Sequence, residues 1–172
     1  MYKTDLDRLI TRIQLQPLWP DEDSRGNPVL NTKPIVFTSS KPPFSLFRRI
    51  STNIAQSELH WMLTGSGCGN GREAHVTDEV EKIWSPWDGD MGPMYGVQWR
   101  KWLGHKNLID QVQNTIDLLR RDPKTRRAVI SNWSVHEVDK MKLPPCPITY
   151  TFNTYGGRLN LSVSARSTDI IC

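Results

Sequence analysis

Ile148-Thr149-Tyr150-Thr151-Phe152-Asn153-Thr154-Tyr155-Gly156-Gly157-Arg158-Leu159-Asn160-Leu161-Ser162-Val163-Ser164 decides the fold class. Ile148, Tyr150 and Phe152 alternate with Thr149, Thr151 and Asn153. Beyond the Tyr155-Gly156-Gly157 turn, Leu159, Leu161 and Val163 alternate with Asn160, Ser162 and Ser164. A period of two sends successive side chains to opposite faces, so two such runs around a glycine pair predict an antiparallel hairpin. Arg166 shares parity with Asn160, Ser162 and Ser164, which predicts it on the polar face of the second strand.

Working upstream, the β-branched run Ala128–Trp133 predicts a third strand. Ile109, Val112, Ile116 and Leu119 recur at spacings of three and four, which predicts a helix over Leu108–Arg121 stopped by Asp122-Pro123. Ile50, Ile54, Trp61 and Met62 form one stripe of another helix over Ile50–Leu63, ended by Gly65. Leu6, Leu9, Ile10 and Ile13 predict a short N-terminal helix, followed by a polar loop from Pro20 to Pro34 and a strand at Ile35–Thr38. Helices mixed with antiparallel strands give an α+β class, in a single domain over residues 1–172. The chain stops at Ser167-Thr168-Asp169-Ile170-Ile171-Cys172, straight after a strand, so a domain whose C-terminal part is missing is expected.

Composition narrows the function. The 172 residues, 37% hydrophobic and 23% charged, suit a globular chain that buries a core without disulfide staples. No apolar run approaches the roughly 20 residues of a membrane span, and the opening MYKTDLDRLI lacks the apolar stretch of a secretory signal. A cytoplasmic protein with no membrane partner is expected. Cys68, Cys146 and Cys172 are far apart with no CxxC pair, so free thiols and no metal are expected. A net charge of +4 suits an anionic ligand without demanding nucleic acid, and no nucleic-acid partner is expected.

Four local signals carry chemistry, each with a plainer alternative. Prolines flank Cys146 in Leu143-Pro144-Pro145-Cys146-Pro147, fixing the backbone around a thiol that is either a nucleophile or a small apolar residue opening a strand. Arg120 to Arg127 holds five cations in eight residues, with Arg126 and Arg127 able to grip a phosphate or to form a solvated basic turn. The Trp-, Gly- and Pro-rich run Trp84 to Arg100 offers aromatic walls for a flat heterocycle or simply core tryptophans, the reading favoured for Trp99 and Trp102. Glu58, mid-helix beside Trp61, is a general acid in an apolar pocket or an exposed helix residue. Arg166 is a ligand-facing arginine or half of a surface ion pair.

Five motifs occur in order: Asp90-Met91-Gly92-Pro93-Met94-Tyr95-Gly96-Val97-Gln98-Trp99-Arg100, Ile109-Asp110-Gln111, Asp122-Pro123-Lys124-Thr125-Arg126-Arg127, Pro145-Cys146 and Arg166-Ser167-Thr168-Asp169. Together, over roughly Arg25 to Cys172, the chain resembles the thymidylate synthase family, which includes the pyrimidine-nucleotide hydroxymethylases. The resemblance implies a mixed, mainly antiparallel sheet with flanking helices, the sheet lying at a homodimer interface with shared active sites. It implies Cys146 as the nucleophile toward C6 of dUMP (or dCMP), with Arg166 stabilising the thiolate and touching the phosphate. Glu58 and Tyr95 match the family's proton-handling carboxylate and phenol. Arg25, Arg126, Arg127 and Ser167 match its phosphate ligands, the arginine pair being donated across the dimer. Trp84, Trp87 and Asp169 match contacts to 5,10-methylenetetrahydrofolate, the implied co-substrate.

Three departures bear on the product. Pro147 follows the cysteine where the synthases usually have His, and Ala165 precedes Arg166 where glutamine is expected. The family continues from this point into a Gly-x-x-x-Asn segment that reads the base, so the resemblance implies that this segment is expected after Cys172. Reductive methylation of dUMP to dTMP is the first expectation. A dUMP or dCMP hydroxymethylase, or an inactive fragment of either enzyme, is the alternative; a nonenzymatic nucleic-acid binder is a third reading.

Overall fold

The computed structural model describes residues 51–65 and 90–167, Pro86, and the strand pairs at 21–22 and 28–29. The chain forms two compact units, Met1–Ile50 with Ile170–Cys172, and Ser51–Asp169. In the first, β1 (Asp21–Glu22) pairs antiparallel with β2 (Pro28–Val29). This pairing lies inside the stretch expected as a loop; two-residue strands in a polar run carry no alternation to signal them. The predicted N-terminal helix and the Ile35–Thr38 strand lie outside the described residues.

The second unit opens with α1 (Thr52–Thr64). The Ser51 hydroxyl caps it, accepting from the Ile54 N–H at 3.4 Å, and Gly65 closes it at φ 72. A short helix, α2 (Gly96–Arg100), packs against α1. The contact needs glycine at its start, because a Cβ on Gly96 would lie 2.3 Å from the Met62 carbonyl oxygen. Trp61, Met91, Met94, Tyr95 and Met141 form the apolar core beside this contact, with Ile54, Met62 and Leu143 packed on it. Trp99 is buried as expected, whereas Trp102 is half-buried.

The predicted second helix begins later than its apolar spacing suggested. Leu108–Ile109 forms β4 and pairs with β3 (Trp102–Leu103), and α3 runs over Gln111–Arg121. Asp110 sets the boundary: its carboxylate accepts from the Gln113 N–H at 2.9 Å and pairs with Arg100 at 3.0 Å. The predicted stop at Asp122-Pro123 is observed.

Three antiparallel strands follow in the order β5 (Val129–Ser131), β6 (Pro147–Tyr155), β7 (Arg158–Ala165). The hairpin turn is at Gly156 and Gly157, both at positive φ as a two-residue hairpin requires. The strand expected over Ala128–Trp133 is observed over Val129–Ser131, with Ala128 and Asn132 still bonded to β6 through their backbones at either end. The apolar set Leu159, Leu161 and Val163 is exposed, as is every residue of β7. Alternation fixes which face a side chain takes; it does not supply a layer to cover that face. Gln111 joins the helices to this sheet: its amide donates to the Gln98 and Ser131 carbonyls and accepts from the Ser131 N–H, all within 2.9 Å. No helix among the described residues is long and apolar enough to cross a membrane.

Candidate active site

Cys146 sits where the loop after β5 enters β6, half-buried, and its backbone is held on every side. Pro145 and Pro147 carry no N–H, so their segment cannot complete an ordinary ladder. Instead the Arg166 side chain donates from Nε to the Pro145 carbonyl at 3.2 Å and from a terminal nitrogen to the Pro144 carbonyl at 3.0 Å. The Arg166 N–H donates to the Cys146 carbonyl at 2.9 Å. The register shifts between Pro147 and Thr149, leaving Ile148 as the extra residue of a bulge. There the Asn132 side chain donates to the Pro147 carbonyl at 3.1 Å, and the Asn132 N–H to that of Ile148 at 2.8 Å.

Tyr95 reaches the same corner from the start of α2. Its φ of 37 is a left-handed value that costs a tyrosine energy, held here by the packed neighbours Met94 and Gly96. Its phenol is pushed up to about 12 by burial and by the Cys146, Glu58 and Tyr150 groups beside it, against the pull of a hydrogen bond from the Cys146 backbone. The structure therefore brings Cys146, Glu58 and Tyr95 close enough to influence one another, and Arg166 holds the carbonyls around the thiol. Burial also raises Tyr150, opposed by its hydrogen bond with Asn132. Arg166 lies 5.6 Å over the Trp133 ring, a cation–π contact.

Residues 24–172 match the family model described as thymidylate synthase. The chain belongs to the thymidylate synthase family. Over 119 residues it is 37% identical to the thymidylate synthases of two strains of Buchnera aphidicola subsp. Acyrthosiphon pisum, Tuc7 and 5A. The aligned segment covers 66% of this chain and 43% of each relative, so the chain spans under half the length of the curated relatives it matches.

Other residues matched to the thymidylate synthase pattern fall elsewhere. Arg126 and Arg127 are exposed in the turn before β5, and Ser167 is exposed beside Arg166. The five residue steps from Arg127 to Asn132 along this extended run place the arginine pair about 16 Å from the cysteine end of β5. Arg25, Trp84, Trp87 and Asp169 lie outside the described residues. For Asn132 the sequence offers one signal, an asparagine inside an apolar strand run, since a polar group there must find partners when buried; for Trp133 it offers none.

Proposed function

We propose that this chain carries the nucleotide-activating part of a thymidylate synthase, in which Cys146 adds to C6 of dUMP and methylenetetrahydrofolate supplies the carbon and the hydride that give dTMP. The supporting observation is the fixed thiol corner, in which Tyr95 feels Cys146 and Glu58 and Arg166 holds the carbonyls of Pro144, Pro145 and Cys146. Formation of the Sγ–C6 bond pushes the C5=C6 pair onto the C4 carbonyl and leaves C5 as an enolate carbon. That carbon bonds to the folate-borne methylene; loss of the C5 proton then expels the folate nitrogen and leaves an exocyclic methylene. Hydride from the tetrahydrofolate reduces it to methyl as dihydrofolate forms, and the ring expels the thiolate.

Each side chain has a role in this reading. Arg166, fixed by two carbonyls and an indole, retains further N–H donors for the phosphate, and its charge favours the thiolate. The phenol of Tyr95 stays protonated at neutral pH, so it handles the C5 proton as a neutral hydroxyl, with Glu58 ordering water nearby. Arg25 and Ser167 complete the phosphate site. Arg126 and Arg127, at the far end of β5 from Cys146, serve the site of a second copy in a homodimer. Trp84, Trp87 and Asp169 are assigned to the folate on the family match alone.

Tritium release from [5-3H]dUMP tests the central step, because C5 exchanges its proton only after C6 is attacked. Release that vanishes in Cys146→Ala is expected; its absence from the parent protein would overturn the reading. The apolar pair Pro147 and Ala165 favours a second reading, hydroxymethylation of dUMP or dCMP, in which water completes the exocyclic methylene. Formation of dihydrofolate indicates the synthase; tetrahydrofolate with a 5-hydroxymethyl nucleotide indicates the hydroxymethylase.

A further inference from the structure

Asn132 is fully buried, with its amide at the centre of a small polar network. Its carbonyl oxygen accepts from the Trp99 indole N–H. Its amide nitrogen donates to the Pro147 carbonyl at 3.1 Å and contacts the Tyr150 hydroxyl at 3.4 Å, and its N–H holds the Ile148 carbonyl at 2.8 Å. Trp99 and Tyr150 also meet edge to face, ring centroids 5.2 Å apart, so both rings wall the amide in. A buried amide satisfied this fully has one orientation, which makes it a rigid fixture.

What it fixes is the bulge directly after the thiol. Arg166 holds the carbonyls of Pro144, Pro145 and Cys146, whereas the next two, of Pro147 and Ile148, are held by Asn132. The neighbouring Trp133 lies beneath the Arg166 guanidinium. Two consecutive residues, on opposite sides of the chain, thus support the thiol segment and its arginine.

We propose that Asn132 is a positioning residue that keeps the Cys146 thiol in register with the Arg166 cation. The inference rests on the reading of Cys146 as nucleophile, and its consequence is specific. Without the amide the bulge relaxes, the thiol moves relative to the cation, and the thiolate loses a stabilising charge.

Iodoacetamide alkylation of Cys146 between pH 6 and 10, followed on the tryptic peptide Leu143–Arg158 of the full chain, tests this without any nucleotide. Tyr95, Glu58, Tyr150 and Arg166, the titratable and charged groups at this corner, stay unchanged in every variant. For Asn132→Ala the midpoint is expected to rise by about one pH unit, with the rate at pH 7 down about tenfold and the rates converging at high pH. Asn132→Leu, which fills the volume without a donor, is expected to behave alike. Thr115→Val, a buried polar change on α3, is expected to leave the midpoint in place. Unmoved midpoints in both folded Asn132 variants would overturn the proposal. So would an equal shift in Thr115→Val, or failure of both Asn132 variants to fold, which would make the role one of folding alone. Tritium release from the parent protein judges the nucleophile reading separately.

Discussion

Pro147 on β6 and Ala165 on β7 are direct cross-strand partners, so the two departures from the family pattern around the cysteine fall on one pair. Groups in contact across a ladder act jointly. Pro147→His and Ala165→Gln are therefore expected to be non-additive, with a coupling of at least about 0.5 kcal/mol in the double-mutant cycle. Tritium release from dUMP and from dCMP, measured for the four proteins of the cycle, checks it. Strict additivity would show that the two positions act independently.

The Tyr95 phenol predicts an alkaline limit to stability. Its pKa rises from 10.0 to about 12 in the fold, chiefly through burial. Between those values the unfolded chain releases the proton and the native one keeps it, so stability falls as pH rises, by up to about 1.4 kcal/mol per pH unit. Below pH 10 this contribution is fully present. Denaturant titrations at pH 8, 9, 10 and 11 are expected to show the decline, and Tyr95→Phe to reduce its slope. An unchanged slope in the variant would place the loss elsewhere, Tyr150 being the other raised phenol.

Arg166→Lys keeps the charge and removes the fork. An ammonium cannot hold the Pro144 and Pro145 carbonyls while stacking on Trp133 as the guanidinium does. Tritium release is expected to fall at least about tenfold, about 1.4 kcal/mol of lost transition-state stabilisation. A variant as active as the parent would show that charge alone suffices.

Gly96→Ala tests the helix contact that carries Tyr95. Its Cβ would meet the Met62 carbonyl oxygen at 2.3 Å, and a backbone atom cannot rotate out of the way. A loss of about 3 kcal/mol is expected in denaturant unfolding, with activity falling as α1 and α2 separate. Wild-type stability in this variant would mean the helices slide apart without cost.

The fold is most legible in the sequence where a single chemical rule governs the outcome. The Gly156-Gly157 hairpin, the Gly65 stop and the Asp122-Pro123 stop each follow from backbone freedom at one or two residues. The start of α3 lies after Ile109 because apolar spacing there competes with the cap at Asp110, and the cap wins. The sequence links Cys146, Glu58 and Tyr95 only through the family resemblance, since local periodicity says nothing about residues from three separate elements. Asn132 escaped notice because its partners Trp99, Pro147 and Tyr150 come from distant stretches of chain. The exposure of Leu159, Leu161 and Val163 was equally invisible: the pattern names a face, and tertiary packing alone decides what meets it.

The anchoring of Arg166 also has an entropic side. A free arginine surrenders up to about 2 kcal/mol of rotamer freedom when it is immobilised. Here the Pro144 and Pro145 carbonyls and the Trp133 ring have imposed that loss during folding. An anion docking on the remaining N–H groups meets a preset receptor, and recognition then depends on desolvation and charge rather than on ordering a long side chain.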